Sequence, residues 1–456
     1  MENGITKLSV AGFKSIAQET TLDMKPLTLL AGTNSSGKSS FMQPLLLLKQ
    51  TLETSYDPGP LLLDGKNVKF TSFEQLLTLT GEKNPKKEFF VTLEIALKMV
   101  HGTSPEPFSN TLTLFFSKKS GAITVSVQGG FFNARIDSDM RSAKLLEAIK
   151  TDGRFWSEEI LGNGQIELEI VRRYCFLSID AKKNLLSLNL WNTELFSKFI
   201  EKIIHVPALR GAPERSYQVT GVGPAFPGRF DHYTASVIAQ WGEKKSDKLG
   251  QLCDALSHLG LTSKVLAKRL NDAQIEVQVG RLPKNGRTKS DMVNIADVGF
   301  GVSQTLPVLV ALLVAEPGQL IYLEQPEIHL HPRAQVALAE ILVDAANRGV
   351  KVVAETHSSL LLLAVQTLIA KQKISHEDVA LHWFERDKTG MSTVTTAELD
   401  DSGRFGEWPV DFSDVELETE GEYIEVVSQQ AFRYIEDAKG SKIAAPQVRK
   451  ERRKHG

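Results

Sequence analysis

"PLTLLAGTNSSGKSSF", residues 26–41, decides the fold. Its first half is a compact apolar run of the kind that a strand buried on both faces shows. "GTNSSGKS", residues 32–39, follows and matches G-x-x-x-x-G-K-[ST]; a helix then begins near Lys38 and carries Phe41, Leu45 and Leu48 at helical spacing. Strand, glycine loop and helix in that order make a phosphate cradle. The glycines let the loop wrap tightly, so that successive backbone N–H groups and the helix N-terminus face phosphate oxygens. On this reading Gly32, Thr33, Asn34, Ser35, Ser36, Gly37, Lys38, Ser39 and Ser40 bind nucleotide, with Lys38 on the β- and γ-phosphates and the Ser39 hydroxyl on Mg²⁺. Pro44 suits the helix only if it lies in about the first turn.

A cation held by Ser39 needs a second strand that ends in an acid. "LIYLEQPE", residues 320–327, supplies one: four apolar residues and then Glu324, where a neighbouring parallel strand would end at the same sheet edge. "VKVVAETHSS", residues 350–359, ends a further strand at Glu355-Thr356-His357, so His357 can reach a γ-phosphate or the attacking water. His329 and His331 stand at i and i+2, but no further Cys/His/Asp cluster accompanies them, and they are read as shaping a turn towards a partner rather than as metal ligands.

Downstream of "ADVGFGVSQ" the pattern runs helix, strand, helix, strand, helix, which is alternating α/β. Residues 85–200 change texture to alternating segments such as "KEFFVTLEIAL" and "AITVSVQ", parted by Gly, Asn and Ser turns, which is antiparallel β material. Residues 230–275 look helical, followed by the strand-like "AQIEVQVG". No heptads are sustained, so long coiled-coil arms are not expected. The expected organisation is a first part of the head at 1–84, a β-rich insertion at 85–200, a helical insertion at 201–290, the rest of the head at 291–435 and a basic, mobile tail at 436–456.

Length and hydrophobic content, 456 residues and 42%, allow a sizeable core. A formal charge of −2 demands neither nucleic acid nor membrane. Two cysteines, Cys175 and Cys253, are too few for a disulfide framework or a cysteine-based zinc site. "MENGITKLSVAGFKS" lacks the features of a signal peptide, and "TLPVLVALLVA", residues 305–315, is too short to span a bilayer. A cytoplasmic protein without a membrane partner is expected. "EKKSDK" at 243–248 and "GRLPKNGRTK" at 280–289 could form a basic groove for DNA, and read equally well as solvated loops.

The glycine loop, "DVGFGVSQ" (297–304), "LIYLEQPEIHLHP" and "AETHS" stand in the order found in ABC-type ATPase heads, and the chain resembles the OLD (overcoming lysogenisation defect) and related SMC-like ATPases. "HVPALRGAPERSY" at 205–217 also looks like a segment of these proteins. The resemblance implies an α/β P-loop NTPase of ABC-ATPase type whose substrate is ATP with Mg²⁺. It implies that "GVSQ" replaces the ABC signature, with Gly301 and Ser303 capping the nucleotide of an opposing copy in a homodimer, or a higher oligomer built from it. The family commonly has Glu-Glu-Pro where this chain has Glu324-Gln325-Pro326, so an amide holds the place of the general base and turnover should be slow unless Glu327 substitutes. OLD-type nucleases continue into a TOPRIM domain; about a hundred residues follow His357 here without an obvious acidic cluster, so an effector, nuclease or toxin, is expected on a separate polypeptide. The family context implied is anti-phage defence, with a DNA-clamping role or a non-hydrolysing scaffold as the alternatives. The ABC glutamine could be Gln50 or Gln75, and Arg210 and Arg215 could reach nucleotide, a partner, or a surface ion pair.

Overall fold

Strands β1 (Gly4–Ala11) and β2 (Thr20–Asp23) precede β3 (Leu27–Gly32), every residue of which is buried. Such a strand needs cover on both faces, and the sheet order β11-β16-β17-β3-β18-β19 puts it in the interior. The neighbours are β11 (Ile204–Val206), β16 (Leu320–Glu324), β17 (Lys351–Glu355), β18 (Val379–Arg386) and β19 (Ser392–Thr396). All pairings are parallel except β18 with β19. Register sets Glu324 opposite Glu355 and Glu355 opposite Leu30, so the carboxyl ends of β16, β17 and β3 meet at one edge. This is a computed structural model, and it describes residues 4–79, 86–101, 104–129, 132–151, 167–183, 186–191, 193–281, 291–406 and 421–428.

Helix α1 (Lys38–Leu52) leaves the glycine loop and buries Phe41, Leu45 and Leu48. Pro44 lies inside this helix beyond its first turn, which corrects the expectation above. The lost backbone bond costs about 3 kcal/mol, and each of the buried Leu and Phe side chains around it returns about 1.5–3 kcal/mol. Burial, not propensity, carries the helix through.

Against α1 lies a six-stranded antiparallel sheet, β2-β1-β4-β5-β6-β7, with β4 (Glu88–His101), β5 (Ser104–Lys119), β6 (Ala122–Gly129) and β7 (Phe132–Asp137). Leu8, Val10, Val91, Leu93, Leu114 and Val127 on its inner face share one core with Phe41 and Leu45. The strands read as a β-rich insertion therefore continue the sheet that β1 opens. Helix α2 (Ser142–Thr151), the strands β8 (Glu167–Arg173), β9 (Phe176–Lys183) and β10 (Leu186–Trp191), and helix α3 (Glu194–Glu201) complete this half.

Helices α4 (Thr234–Glu243) and α5 (Asp247–His258) occupy the region expected to be helical up to 275, but its last part is not helical. "VLAKR" is strand β13 (Val265–Arg269), paired antiparallel with β14 (Gln274–Gly280) in a sheet that also holds β12 (Tyr217–Gln218) and β15 (Met292–Asn294). Val265, Val277 and Val279 bury together there, and that cross-strand contact overrides the helical texture of the Lys and Leu residues. Helices α6 (Phe300–Val314), α7 (Pro332–Asn347) and α8 (Ser359–Ala370) alternate with β16 and β17 as expected.

Residues 1–408 form one unit and 409–456 a second, in which the described residues are a helix at 421–428. The basic tail at 436–456 lies outside the described residues. Among the described residues no helix is long and apolar enough to cross a membrane.

Candidate functional site

The loop after β3 turns on two glycines whose backbone angles other residues rarely adopt. Gly32 has φ +138°, and a Cβ there would stand 2.0 Å from the Phe384 carbonyl; Gly37 has φ +109°, and a Cβ there would stand 2.2 Å from Ser392 Oγ. Lys38 folds back over the loop: its ammonium donates to the carbonyls of Gly32 (2.9 Å) and Thr33 (2.7 Å). Burial lowers its pKa to about 8, opposed by the carboxylates of Glu355 and Glu327. A cation held on neutral carbonyls can exchange them for an anion at little cost, so the loop is poised for phosphate.

A cavity of about 490 Å³ opens over this loop. Asn34, Ser35, Ser36, Gly37, Lys38, Ser39 and Ser40 line it, together with Gln325 and His357. The register described above brings these last two in. Gln325 sits just past the end of β16 with φ +44°, its N–H donating to the Glu355 carbonyl at 3.0 Å. A glutamine at positive φ is held by its surroundings, here by that bond and by Arg210 on its carbonyl. Burial, and then the nearby Lys38 charge, lower the pKa of His357, against a hydrogen bond with the Gly32 carbonyl.

Four lining residues escaped the sequence reading: Lys14, Ser15, Glu355 and Arg386. Lys14 donates to Gln43 at 2.6 Å, Arg386 donates to the Ser35 carbonyl at 2.6 Å, and Ser15 pairs with Ser392, whose hydroxyl reaches the Ser36 carbonyl at 2.6 Å. Glu355 is fully buried. One oxygen accepts from Ser39 Oγ at 2.8 Å and the other from the Tyr322 hydroxyl. Burial, and then the Glu324 charge, raise its pKa to about 7, against the hydrogen bonds and Lys38. The acid in "AETHS" was a legible signal for Glu355; Arg386 had none.

Other expected residues stand elsewhere. Glu324 does not line the cavity; His205 Nε2 meets one of its oxygens at 3.0 Å and the Ala208 N–H the other at 3.0 Å. Burial pushes its pKa up, but the His205 and Ala208 contacts and the Arg210 charge together outweigh this and hold it below the usual range. Glu327 is also off the cavity: one oxygen accepts from Thr356 Oγ1 (2.8 Å) and the His357 N–H (2.9 Å), and burial raises its pKa. It braces the His357 turn.

Gly301 and Ser303, at the start of α6, are not among the residues around the cavity. Neither is Gln50, which clasps the Leu62 carbonyl and the Val68 N–H, nor Gln75, which bonds Thr71. Arg210 is neither on the cavity nor on the surface. It is buried, and donates to the carbonyls of Pro207 (2.9 Å), Gln304 (2.8 Å), Glu324 (2.8 Å) and Gln325 (3.1 Å). Arg215 forms an exposed ion pair with Asp297 at 2.7 Å. His331 caps α7 and His329 packs on Phe300, with ring centroids 6.0 Å apart. Of the two basic runs, Lys244 and Lys245 are exposed, whereas 282–290 lies outside the described residues.

Residues 4–208 match the family model described as "AAA ATPase domain", and residues 157–364 match "AAA domain, putative AbiEii toxin, Type IV TA system". With the glycine loop, the parallel sheet and the strand-end acids already in place, these matches decide the class. The chain is a P-loop ATPase. Residues 374–416 of the ATPase match "Protein of unknown function (DUF3696)". It is similar to a solved SMC head bound to the C-winged helix domain of ScpA, at 11% identity over 88% of this chain and 99% of that one, with a TM-score of 0.48. It is also similar to the SMC head domain from Thermotoga maritima (11% identity, 87% and 99% covered, TM-score 0.41). A third likeness is to the Smc head domain with an extended coiled coil from Pyrococcus furiosus, bound to the C-terminal domain of ScpA (10% identity, 87% and 97% covered, TM-score 0.44). No curated protein matches the ATPase.

The donor set suits Mg²⁺: a serine hydroxyl and carboxylates at one sheet edge are hard oxygen ligands, and this ion ordinarily takes one or two of them plus phosphate and water. Among the described residues no three His, Cys, Asp or Glu side chains form a metal-holding group on their own, so His329 and His331 gain no third ligand.

Proposed function

We propose that this ATPase is a slow, nucleotide-gated switch. ATP is held by the loop around Lys38, with Ser39 and the strand-end acids on the Mg²⁺ side. Bound there, the cation neutralises charge on the phosphates. His357 holds the terminal phosphate or orients water beside it. Gly301 and Ser303 of a second copy cap the nucleotide, so that ATP joins two heads and hydrolysis parts them. The closed dimer controls a separate effector, a nuclease or a toxin, in defence against phage.

What supports slow turnover is that Gln325, the cavity residue next to Glu324 in the chain, is an amide. An amide can orient water and cannot take its proton at neutral pH, and a positioned base is worth about 10²–10⁴ in rate. Glu327, the substitute base, has one oxygen committed to Thr356 and His357. Support for the two-copy arrangement comes from Gly301 and Ser303 standing away from the cavity of their own chain while Phe300 beside them is exposed. The defence setting rests on the family matched over 157–364, whose description names a putative toxin of a toxin–antitoxin system.

ATP turnover and light scattering of the wild type, Gln325→Glu and Lys38→Ala test the reading together. The wild type should turn over slowly, Gln325→Glu should gain about 10²–10⁴ in rate, and ATP with Mg²⁺ should drive an association that Lys38→Ala abolishes. Brisk wild-type turnover that Gln325→Glu leaves unchanged would sink it.

A further inference from the structure

The sheet order gives the cavity over the glycine loop two ends. β16 and β17 lie on one side of β3 and bring Gln325, Glu355 and His357 to it; β18 lies on the other side. Phe384 pairs in register with Gly32, the last residue of β3, so β18 runs on past that strand and carries Arg386 alongside the loop. There the Arg386 Nε–H donates to the Ser35 carbonyl at 2.6 Å and helps to hold that serine at φ +59°. Ser392, the partner of Arg386 across β19, does the same for the next carbonyl, that of Ser36. The guanidinium is thus anchored by one edge. Among the described residues its terminal amino groups have no protein partner, and Arg386 lines the cavity. Lys14, whose neighbour Ser15 bonds Ser392, is committed: its ammonium donates to Gln43 and lies 4.6 Å from the Phe70 ring centroid.

We propose that Arg386 binds the phosphate furthest from His357, the α-phosphate of the nucleotide, through these amino groups. With the terminal phosphate beside His357, a phosphate chain laid along the loop runs from the β17 side of β3 towards the β18 side, where Arg386 stands. A guanidinium presents a planar fork that matches phosphate oxygens, and one already fixed by the Ser35 carbonyl loses little freedom on binding. ATP and ADP both carry an α-phosphate. Arg386 therefore holds substrate and product alike and does not sense hydrolysis. The inference rests on the reading of the cavity as a nucleotide site with its terminal phosphate at His357.

The test is calorimetry on the full chain with Mg²⁺. The ligands are ADP, a non-hydrolysable ATP analogue, and both ADP diastereomers that carry sulfur on the α-phosphate. Arg386→Ala should lose about 10–100-fold in affinity for ADP and for the ATP analogue alike, and Arg386→Lys, which keeps the charge without the fork, should recover only part of it. Because Arg386 also braces the loop, the sulfur substitution separates contact from bracing. In the wild type at least one diastereomer should bind more weakly than ADP, and in Arg386→Ala that penalty should vanish. A penalty that is absent from the wild type, or equal in wild type and variant, overturns the contact. So does a loss confined to the ATP analogue, which would put Arg386 at the terminal phosphate. Should Arg386→Ala fail to fold, Arg386→Gln gives the same comparison. A wild type that binds neither ADP nor the ATP analogue refutes the nucleotide reading itself, and the inference with it.

Discussion

Gly37 and Gly250 show how one substitution can act with opposite sign. At Gly37 a methyl group would enter at φ +109° and meet Ser392 Oγ at 2.2 Å and Ser15 Oγ at 3.0 Å. Gly37→Ala should therefore cost about 1–3 kcal/mol in urea unfolding and remove nucleotide binding. Gly250 lies within α5 with nothing within 4 Å of a built Cβ, so Gly250→Ala should stabilise by about 1 kcal/mol. Equal effects at the two positions would mean that the loop relaxes around the new methyl group and that its geometry is not strictly set. The glycines and Lys38 were legible from spacing because the loop is local: all its parts lie within a few residues of one another. The acid of "AETHS" was visible as a strand end, but its contact with Ser39 was not, and Arg386 gave no signal at all, because what brings the two to Ser39 and Ser35 is the pairing of β17 and β18 with β3, a register that no short stretch encodes.

Between elements, Arg210 reaches from the loop after β11 to two others. It holds the Gln304 carbonyl in α6 and the carbonyls of Glu324 and Gln325 at the end of β16. A motion of the α6 N-terminus must therefore be felt at Gln325 or break a charged hydrogen bond. Arg210→Lys keeps the charge but cannot reproduce the planar fork, and should destabilise by about 2–4 kcal/mol. Amide exchange should quicken at 300–306 and 325–330 while α8 keeps its protection; uniform exchange across all three would show that the arginine couples nothing. The alternation of α6, β16, α7, β17 and α8 could be read in advance because each element has its own period. Gly349, at φ +84° just past α7, supplies the left-handed residue that stops that helix. β13 was misread because a short run containing Leu, Lys and Arg carries no decisive period, and its partner β14 settles it as strand.

For the molecule as a whole, pH acts through buried groups with opposing signs. His382 on β18 is buried beside Thr396, 2.9 Å away, and burial lowers its pKa from 6.5 to about 4. The unfolded chain thus takes up the proton first as pH falls, so the stability His382 contributes above pH 6.5 is lost as pH drops through 4. The full swing is on the order of 3 kcal/mol. Glu355 runs the other way: its pKa is raised to about 7, so it favours the fold below 4.5 and loses that contribution as pH rises through 7. The His382 component is read as the difference between wild type and His382→Asn in unfolding experiments from pH 7 to 4. A difference that stays constant with pH would show that His382 titrates alike in both states.

The hydroxyl relay from Ser15 through Ser392 to the Ser36 carbonyl ties the turn after the first strand, the last edge strand and the phosphate loop into one knot. Because β3 also needs β17 and β18 on its two sides, a chain emerging from the ribosome holds its glycine loop unfinished while hundreds of residues are still to be made. Competence to bind nucleotide then waits for β17, β18 and β19, so a chain that stops before β19 would leave its loop unfinished.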